Sequence, residues 1–223
     1  MNNEARQEIL GSIRTHLAAS APFDAREDQQ TPVIQSQQSP AADPVALFKQ
    51  NLEAVGGHCL IANGDAEIAN ALTQIISALQ KTKLRAQRIA VSDAPELVRL
   101  MHMTDLEIEE LGIAPGASDI FRFDAGISTT QAAIAETGTL VLDSVRERHR
   151  LVSLVPPVHI AILNASTIYM TLSETLSMLQ SAEELSPAVT FITGPSRTAD
   201  IELTLTIGVH GPQELYVIVN QSQ

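Results

Sequence analysis

The stretch CLIANGDAEIANALTQIISALQKTKLRAQRIAV, residues 59–91, decides the fold class. It opens on a short apolar run, Cys59 to Ala62, continues as a helix from Asp65 to about Lys81, and returns to a second apolar run, Arg88 to Val91. Short strands alternating with helices imply a mostly parallel sheet with helices on its faces, because parallel neighbours need a long crossover between them. The alternation extends in both directions. Upstream, Asp43 is a good N-cap, Pro44 suits the first helical position, and Val45, Leu47, Phe48, Leu52 and Val55 form an apolar pattern that stops at Gly56-Gly57. Downstream, a helix enters at Pro95 and a loop surrounds Pro115 and Gly116. Candidate strands follow at Phe121 to Phe123, Thr139 to Leu142, His159 to Leu163, Val189 to Thr193 and Leu215 to Val219, with a helix over Thr171 to Gln180. No internal repeat is evident. The expected architecture is one open, mostly parallel, Rossmann-like α/β sheet rather than a barrel of equal units.

Ahead of this domain, Ala5, Ile9, Ile13 and Leu17 recur every fourth residue between Asn2 and Ala19, which predicts an amphipathic helix with one narrow apolar stripe. That stripe either folds back onto the main domain or docks on a partner protein. Between Ser20 and Asp43 stand Pro22, Pro32 and Pro40 with five glutamines and few large apolar residues, the composition of a flexible linker. The expected division is therefore a helix over 1–19, a linker over 20–43 and a domain over 44–223.

Composition narrows the function. The 223 residues carry 14 Lys and Arg against 26 Asp and Glu, a net charge of −12, which argues against a nucleic-acid partner held by phosphate neutralisation. The apolar run Leu151 to Leu163 is broken by Pro156, Pro157 and His159, so no membrane span is expected. Met1 to Leu10 carries Glu4, Arg6 and Glu8 and lacks the layout of a secretion signal, so the expected location is cytoplasmic. Cys59 is the sole cysteine, which leaves no internal disulfide and no iron–sulfur cluster on this chain. Any redox chemistry must use a bound organic cofactor or a partner. No dinucleotide or phosphate-loop glycine motif is present: Gly56-Gly57 and Gly64 have the wrong spacing.

Three polar, glycine-bearing segments beside strands are candidate sites. In the first, Glu136, Thr137, Gly138 and Thr139 lead into an aliphatic strand; Glu136 is either a general base or nucleophile, or a surface residue of a polar turn. In the second, Gly194, Ser196, Arg197, Thr198 and Asp200 follow a strand, and Arg197 is the single basic residue from Leu151 to the end. An arginine beside hydroxyls suits a carboxylate or phosphate, although an internal ion pair with Asp200 or Glu202 would place it equally well. The third is His210-Gly211, a histidine between glycines that serves as acid, base or metal ligand, or as a structural residue of a tight turn. A metal would need His159, His210 and Glu136 or Asp200 to converge, and no metal site is expected. Arg146, Arg148, His149 and Arg150 form the compact basic cluster; it reads mainly as a solvated loop, with Arg150 the member placed to turn inward toward an anion.

The order and spacing of AETGT at 135–139, PPVHI at 156–160, GPSRTADIE at 194–202 and GVHGP at 208–212 resemble the lactate-utilisation (LUD) domain family, LutC/YkgG type, over roughly residues 45–221. The resemblance implies a fold like the NagB/RpiA/CoA-transferase superfamily and a role as the component without an iron–sulfur cluster in bacterial oxidation of L-lactate to pyruvate. It also implies iron–sulfur protein partners and a small carboxylate or phosphate ligand. By this resemblance the site comprises Glu136, Thr137, Gly138, Thr139, Gly194, Ser196, Arg197, Thr198, Asp200, His210 and Gly211. The alternative is an independent enzyme on a sugar phosphate or acyl-CoA, with Glu136 as base or nucleophile and His210 assisting.

Overall fold

The computed structural model describes residues 3–19, 43–182, 186–198 and 206–222. The chain forms two compact units, 1–40 and 41–223. In the first, α1 (Asn3–Ala19) exposes Ile9 and Ile13, two members of its apolar stripe. Residues 20–42, and with them nearly all of the expected linker, lie outside the described residues.

The second unit starts with α2 (Pro44–Ala54), where Asp43 caps the helix by accepting from the Val45 N–H at 3.0 Å and Pro44 occupies the first turn. Then follow β1 (His58–Ala62), α3 (Asp65–Gln80), β2 (Arg88–Val91), α4 (Pro95–His102), β3 (Glu110–Ile113) and β4 (Ala125–Thr129). Next come β5 (Ala132–Ile134), β6 (Thr139–Asp143), α5 (Leu151–Leu154), β7 (Val158–Asn164), β8 (Ile168–Tyr169) and α6 (Leu172–Gln180). The chain closes with β9 (Val189–Ile192), the short β10 (Arg197–Thr198) and β11 (Thr206–Ile207), and β12 (Glu214–Asn220).

Six strands form a wholly parallel sheet in the order β1-β12-β7-β4-β2-β3, the mostly parallel central sheet that the alternation predicts. Side chains of successive strand residues leave on opposite faces, and the core divides accordingly. Val158, Ile160 and Ile162 of β7 join α3 and α4 through Ile68, Leu72, Ile76, Leu97 and Leu100. Ala161 and Leu163 join α2 through Phe48 and Leu52 on the other face. That second face also carries Ala133, Leu140 and Leu142 from a separate four-stranded sheet, β8-β5-β6-β9.

The second sheet corrects the expectation of a single sheet. Thr139–Asp143 and Val189–Ile192 pair antiparallel to each other, not with the parallel strands. β6 is buried along its whole length, so it reads in sequence as a continuous apolar run, as a strand of the central sheet would. The strand expected at Phe121 to Phe123 is also displaced. Ile120–Arg122 is a 3-10 turn with Phe121 77% exposed, and the strand runs over Ala125–Thr129 instead, with Ile127 in the core and small residues at 125, 126 and 128. The glycine at 126 is required there: a Cβ would collide with the Val152 carbonyl of α5. No helix among the described residues is long and apolar enough to cross a membrane.

Candidate functional site

The three glycine-bearing segments do come together, but around the end of α2. Thr139 stands opposite Thr193 where β6 meets β9, and a chain of hydroxyls runs Thr137 Oγ1 to Thr139 Oγ1 (2.7 Å) to Thr193 Oγ1 (2.8 Å). Gly138 has φ +64°, and a Cβ there would strike the Asn51–Leu52 backbone; the glycine lets this turn lie flat on α2. Asn51 Nδ2 donates to the Ala135 carbonyl at 2.8 Å from the same end of the helix. Gly194 packs on Val55. The Arg197 guanidinium donates through Nη2 to the Val55 carbonyl at 2.6 Å, satisfying a C-terminal group of α2. Ser196 donates its N–H to the Pro212 carbonyl (2.8 Å), and Gly211 lies against the Ser196 side chain. Thr198 pairs with Thr206 in the β10–β11 ribbon, and His210 is exposed on the following bend.

The end of α2 leads into β1 and the His210–Gly211 bend into β12, and the other two segments pack on that helix end, so the cluster lies at the amino edge of the parallel sheet. Glu136 is directed elsewhere: its Oε1 accepts the Leu172 N–H at 2.8 Å, at the N-terminus of α6. A carboxylate there satisfies an unpaired helix N–H and complements the helix dipole, so the structure gives Glu136 a capping partner. Asp200, with Glu202, lies outside the described residues. Nor does the fold gather the other metal candidates. His159 is fully buried on β7, with Nε2 2.9 Å from Ser128 Oγ, and burial pushes its imidazole down to about 3. Among the described residues no group of three or more His, Cys, Asp or Glu is placed to hold a metal ion.

One cavity of about 390 Å³ sits at the amino ends of β2, β3 and β4, where Arg88 is already paired with Asp124, but most of the open space lies at the opposite, carboxyl edge, where ligands of open α/β sheets are bound. A cleft of about 510 Å³ is bounded by Asp93 to Glu96 after β2, Thr129 to Gln131 at the end of β4, and Val145, Arg146 and Arg148. Arg148 also lines a neighbouring cavity of about 360 Å³ between Ala114–Ala117, after β3, and His149–Leu151. Arg150 is thus the residue of the expected site that the structure places on this edge. Thr129 and Thr130 border a third hollow of about 240 Å³ that reaches Asn164 and Asn220, the last residues of β7 and β12. Shared lining residues, Arg148 between the first two and Glu96, Thr129 and Thr130 between the first and third, line the three hollows up as a groove along the carboxyl edge.

The groove's cations differ in their freedom. Arg146 is paired with the buried Asp143 at 2.6 Å, and Asp143 also accepts from the Val145 and Arg146 N–H groups, which fixes the turn. His149 Nε2 lies 3.4 Å from Asp93 Oδ2, tying the loop to the end of β2. Neither Arg148 nor Arg150 has an acidic side chain within ion-pair distance among the described residues. Arg148 borders the hydroxyl-lined cleft and Arg150 the cavity beside it, and exposed guanidiniums so placed can hold a carboxylate or phosphate. Thr129, Thr130 and Gln131 escape sequence reasoning because they follow a strand whose position the sequence misplaces. The available signal was the rule that residues just after parallel strands build sites; applied to Ala125–Thr129 it finds them.

Comparison with known proteins adds a lineage. A family model described as the LUD domain matches residues 45–219. A lactate utilization protein C of Halalkalibacterium halodurans is 42% identical over 101 residues, covering 43% of this chain and 44% of that protein. Another of that name, from Macrococcus caseolyticus, is 36% identical over 127 residues, covering 52% and 55%. An uncharacterized protein of Neisseria meningitidis serogroup B is 45% identical over 96 residues, covering 43% and 41%. The chain thus spans about half the length, or less, of the curated relatives it matches. Among solved structures, a DUF162 family protein from Deinococcus radiodurans superposes with a TM-score of 0.60 at 24% identity, covering 82% of this chain and 100% of that one. That likeness is one of fold.

Proposed function

This chain belongs to the LUD domain family, and we propose that it serves lactate utilization in the cytoplasm as the component without an iron–sulfur cluster, holding a small anion at the carboxyl edge of its sheet. Relatives named lactate utilization protein C support the physiological side of this reading. Oxidation of L-lactate to pyruvate releases two electrons and two protons, and this chain offers no thiolate set to receive them. Its one cysteine, Cys59, is buried, and burial pushes the thiol up to about 11. Electrons therefore pass to iron–sulfur partner proteins, which carry the redox step while this subunit binds and orients the carboxylate.

The observation that carries the binding reading is the pair Arg148 and Arg150, exposed and unmatched by acids among the described residues, over a groove in a chain of net charge −12. In so acidic a molecule an unneutralised basic pair at a strand-end groove is a local attraction for an anion. Reconstitution tests the role. The purified chain alone shows no lactate oxidation, and adding it to the iron–sulfur partners raises their rate of pyruvate formation. Partners that oxidise lactate equally fast without it would remove this assignment.

A further inference from the structure

The loop between β6 and α5 alternates in exposure. Arg146, Arg148 and Arg150 are exposed, whereas Glu147 is 1% exposed. The Glu147 carboxylate reaches the end of β4, where Oε2 accepts from the Thr129 N–H at 3.3 Å and from the Thr129 hydroxyl at 3.2 Å. Its other oxygen, Oε1, is buried without a partner in hydrogen-bond geometry, as is the Ser92 hydroxyl that follows β2. The Glu147 N–H donates to the Asp143 carbonyl at 2.8 Å, closing the turn that Asp143 organises.

A buried carboxylate without a cation is costly. No Lys, Arg or His nitrogen lies within ion-pair distance of Glu147 among the described residues, although arginines flank it on both sides in sequence. Both neighbours turn outward. The bonds to Thr129 tie the middle of the arginine loop to the wall of the cleft, and the alternation of the loop then sends Arg148 to the shared border of the two larger cavities.

We propose that Glu147 is the positioning residue of the anion site: its buried side chain fastens the arginine loop onto Thr129 and so holds Arg148 and Arg150 over the groove. This rests on the reading of that groove as the anion site. Burial raises the Glu147 carboxyl above the ordinary glutamate value, opposed by the Thr129 hydroxyl and N–H from which it accepts. What matters to the anchor is shape and hydrogen bonding more than charge. A glutamine keeps an acceptor for Thr129 and turns its amide nitrogen, a donor, toward Ser92. An alanine frees the loop, so that both arginines must be ordered anew each time an anion binds.

Hydrogen exchange and calorimetric titration with inorganic phosphate, on the full chain, separate these roles. Glu147→Ala speeds amide exchange over residues 144–150 about tenfold or more, leaves β7 and β12 unchanged, and weakens phosphate binding about tenfold; Glu147→Gln stays within about threefold of wild type on both. Unchanged exchange over 144–150 in Glu147→Ala, or equal damage by glutamine, overturns the anchor. Exchange needs no ligand: if wild type binds none of phosphate, L-lactate and pyruvate but the exchange pattern holds, the anchor stands and the site reading falls. Should Glu147→Ala fail to fold, Thr129→Val removes the hydroxyl donor from the other side. Faster exchange over 144–150 in that variant supports the anchor, and wild-type exchange there overturns it.

Discussion

His159 is wholly enclosed on β7, its Nε2 beside Ser128 Oγ and its Nδ1 without a partner, and burial holds its pKa near 3 against an ordinary 6.5. Above about pH 6.5 the ring is neutral in the folded and unfolded chain alike. As pH falls below that, the unfolded chain takes up a proton that the folded one refuses until about 3, so stability is lost on acidification. Between pH 7.5 and 5, urea unfolding is expected to show wild type losing about 2 kcal/mol more than His159→Gln. Parallel pH dependence in the two proteins would contradict this. At Gly138, positive φ and contact with the α2 backbone act together, and Gly138→Ala is expected to cost about 2 kcal/mol or more in the same assay. Such residues were legible in sequence as a glycine or histidine of interest, but not in their role. Nothing in AETGT says that its glycine meets a helix, because that neighbour lies some 85 positions away in the chain.

Among elements, α2 and α6 are finished by residues remote in sequence. Arg197 satisfies the Val55 carbonyl, and Glu136 the Leu172 N–H, beside the N-cap Thr171 whose hydroxyl accepts from the Glu174 N–H at 3.2 Å. Glu136→Ala is expected to lower stability by about 1 kcal/mol, and Glu136→Gln, which keeps an acceptor, by about half that or less. Thermal unfolding of the two variants checks the order, and equal losses would show that the bond to Leu172 contributes nothing. Elements with strong local signals were readable: Arg88–Val91 is a strand with the bounds that its apolar run suggests, and Pro44, Pro95 and Thr171 mark the helix starts. β4 was not. Its alanine, glycine and serine carry little strand propensity, while Phe121 and Phe123 carry much. The close crossing of α5 explains why a glycine stands inside that strand.

Across the whole molecule, two kinds of polar segment separate in space. The glycine-rich turns knit α2, β6, β9 and the amino edge together, and the arginine loop faces the groove at the carboxyl edge. Sequence reasoning found the first readily, because glycine and hydroxyl clusters are visible as strings. It treated the second as a solvated loop, because whether Arg148 and Arg150 face bulk water or a cleft depends on where β2, β3 and β4 end. Calorimetric titration of L-lactate, pyruvate and inorganic phosphate into the purified chain tests this division most directly. The account predicts that wild type binds at least one of them, that Arg148→Ala/Arg150→Ala weakens it about tenfold or more, and that Arg197→Ala stays within about threefold. Loss of binding in Arg197→Ala with wild-type affinity in the double variant, or no binding of any of the three, would contradict it.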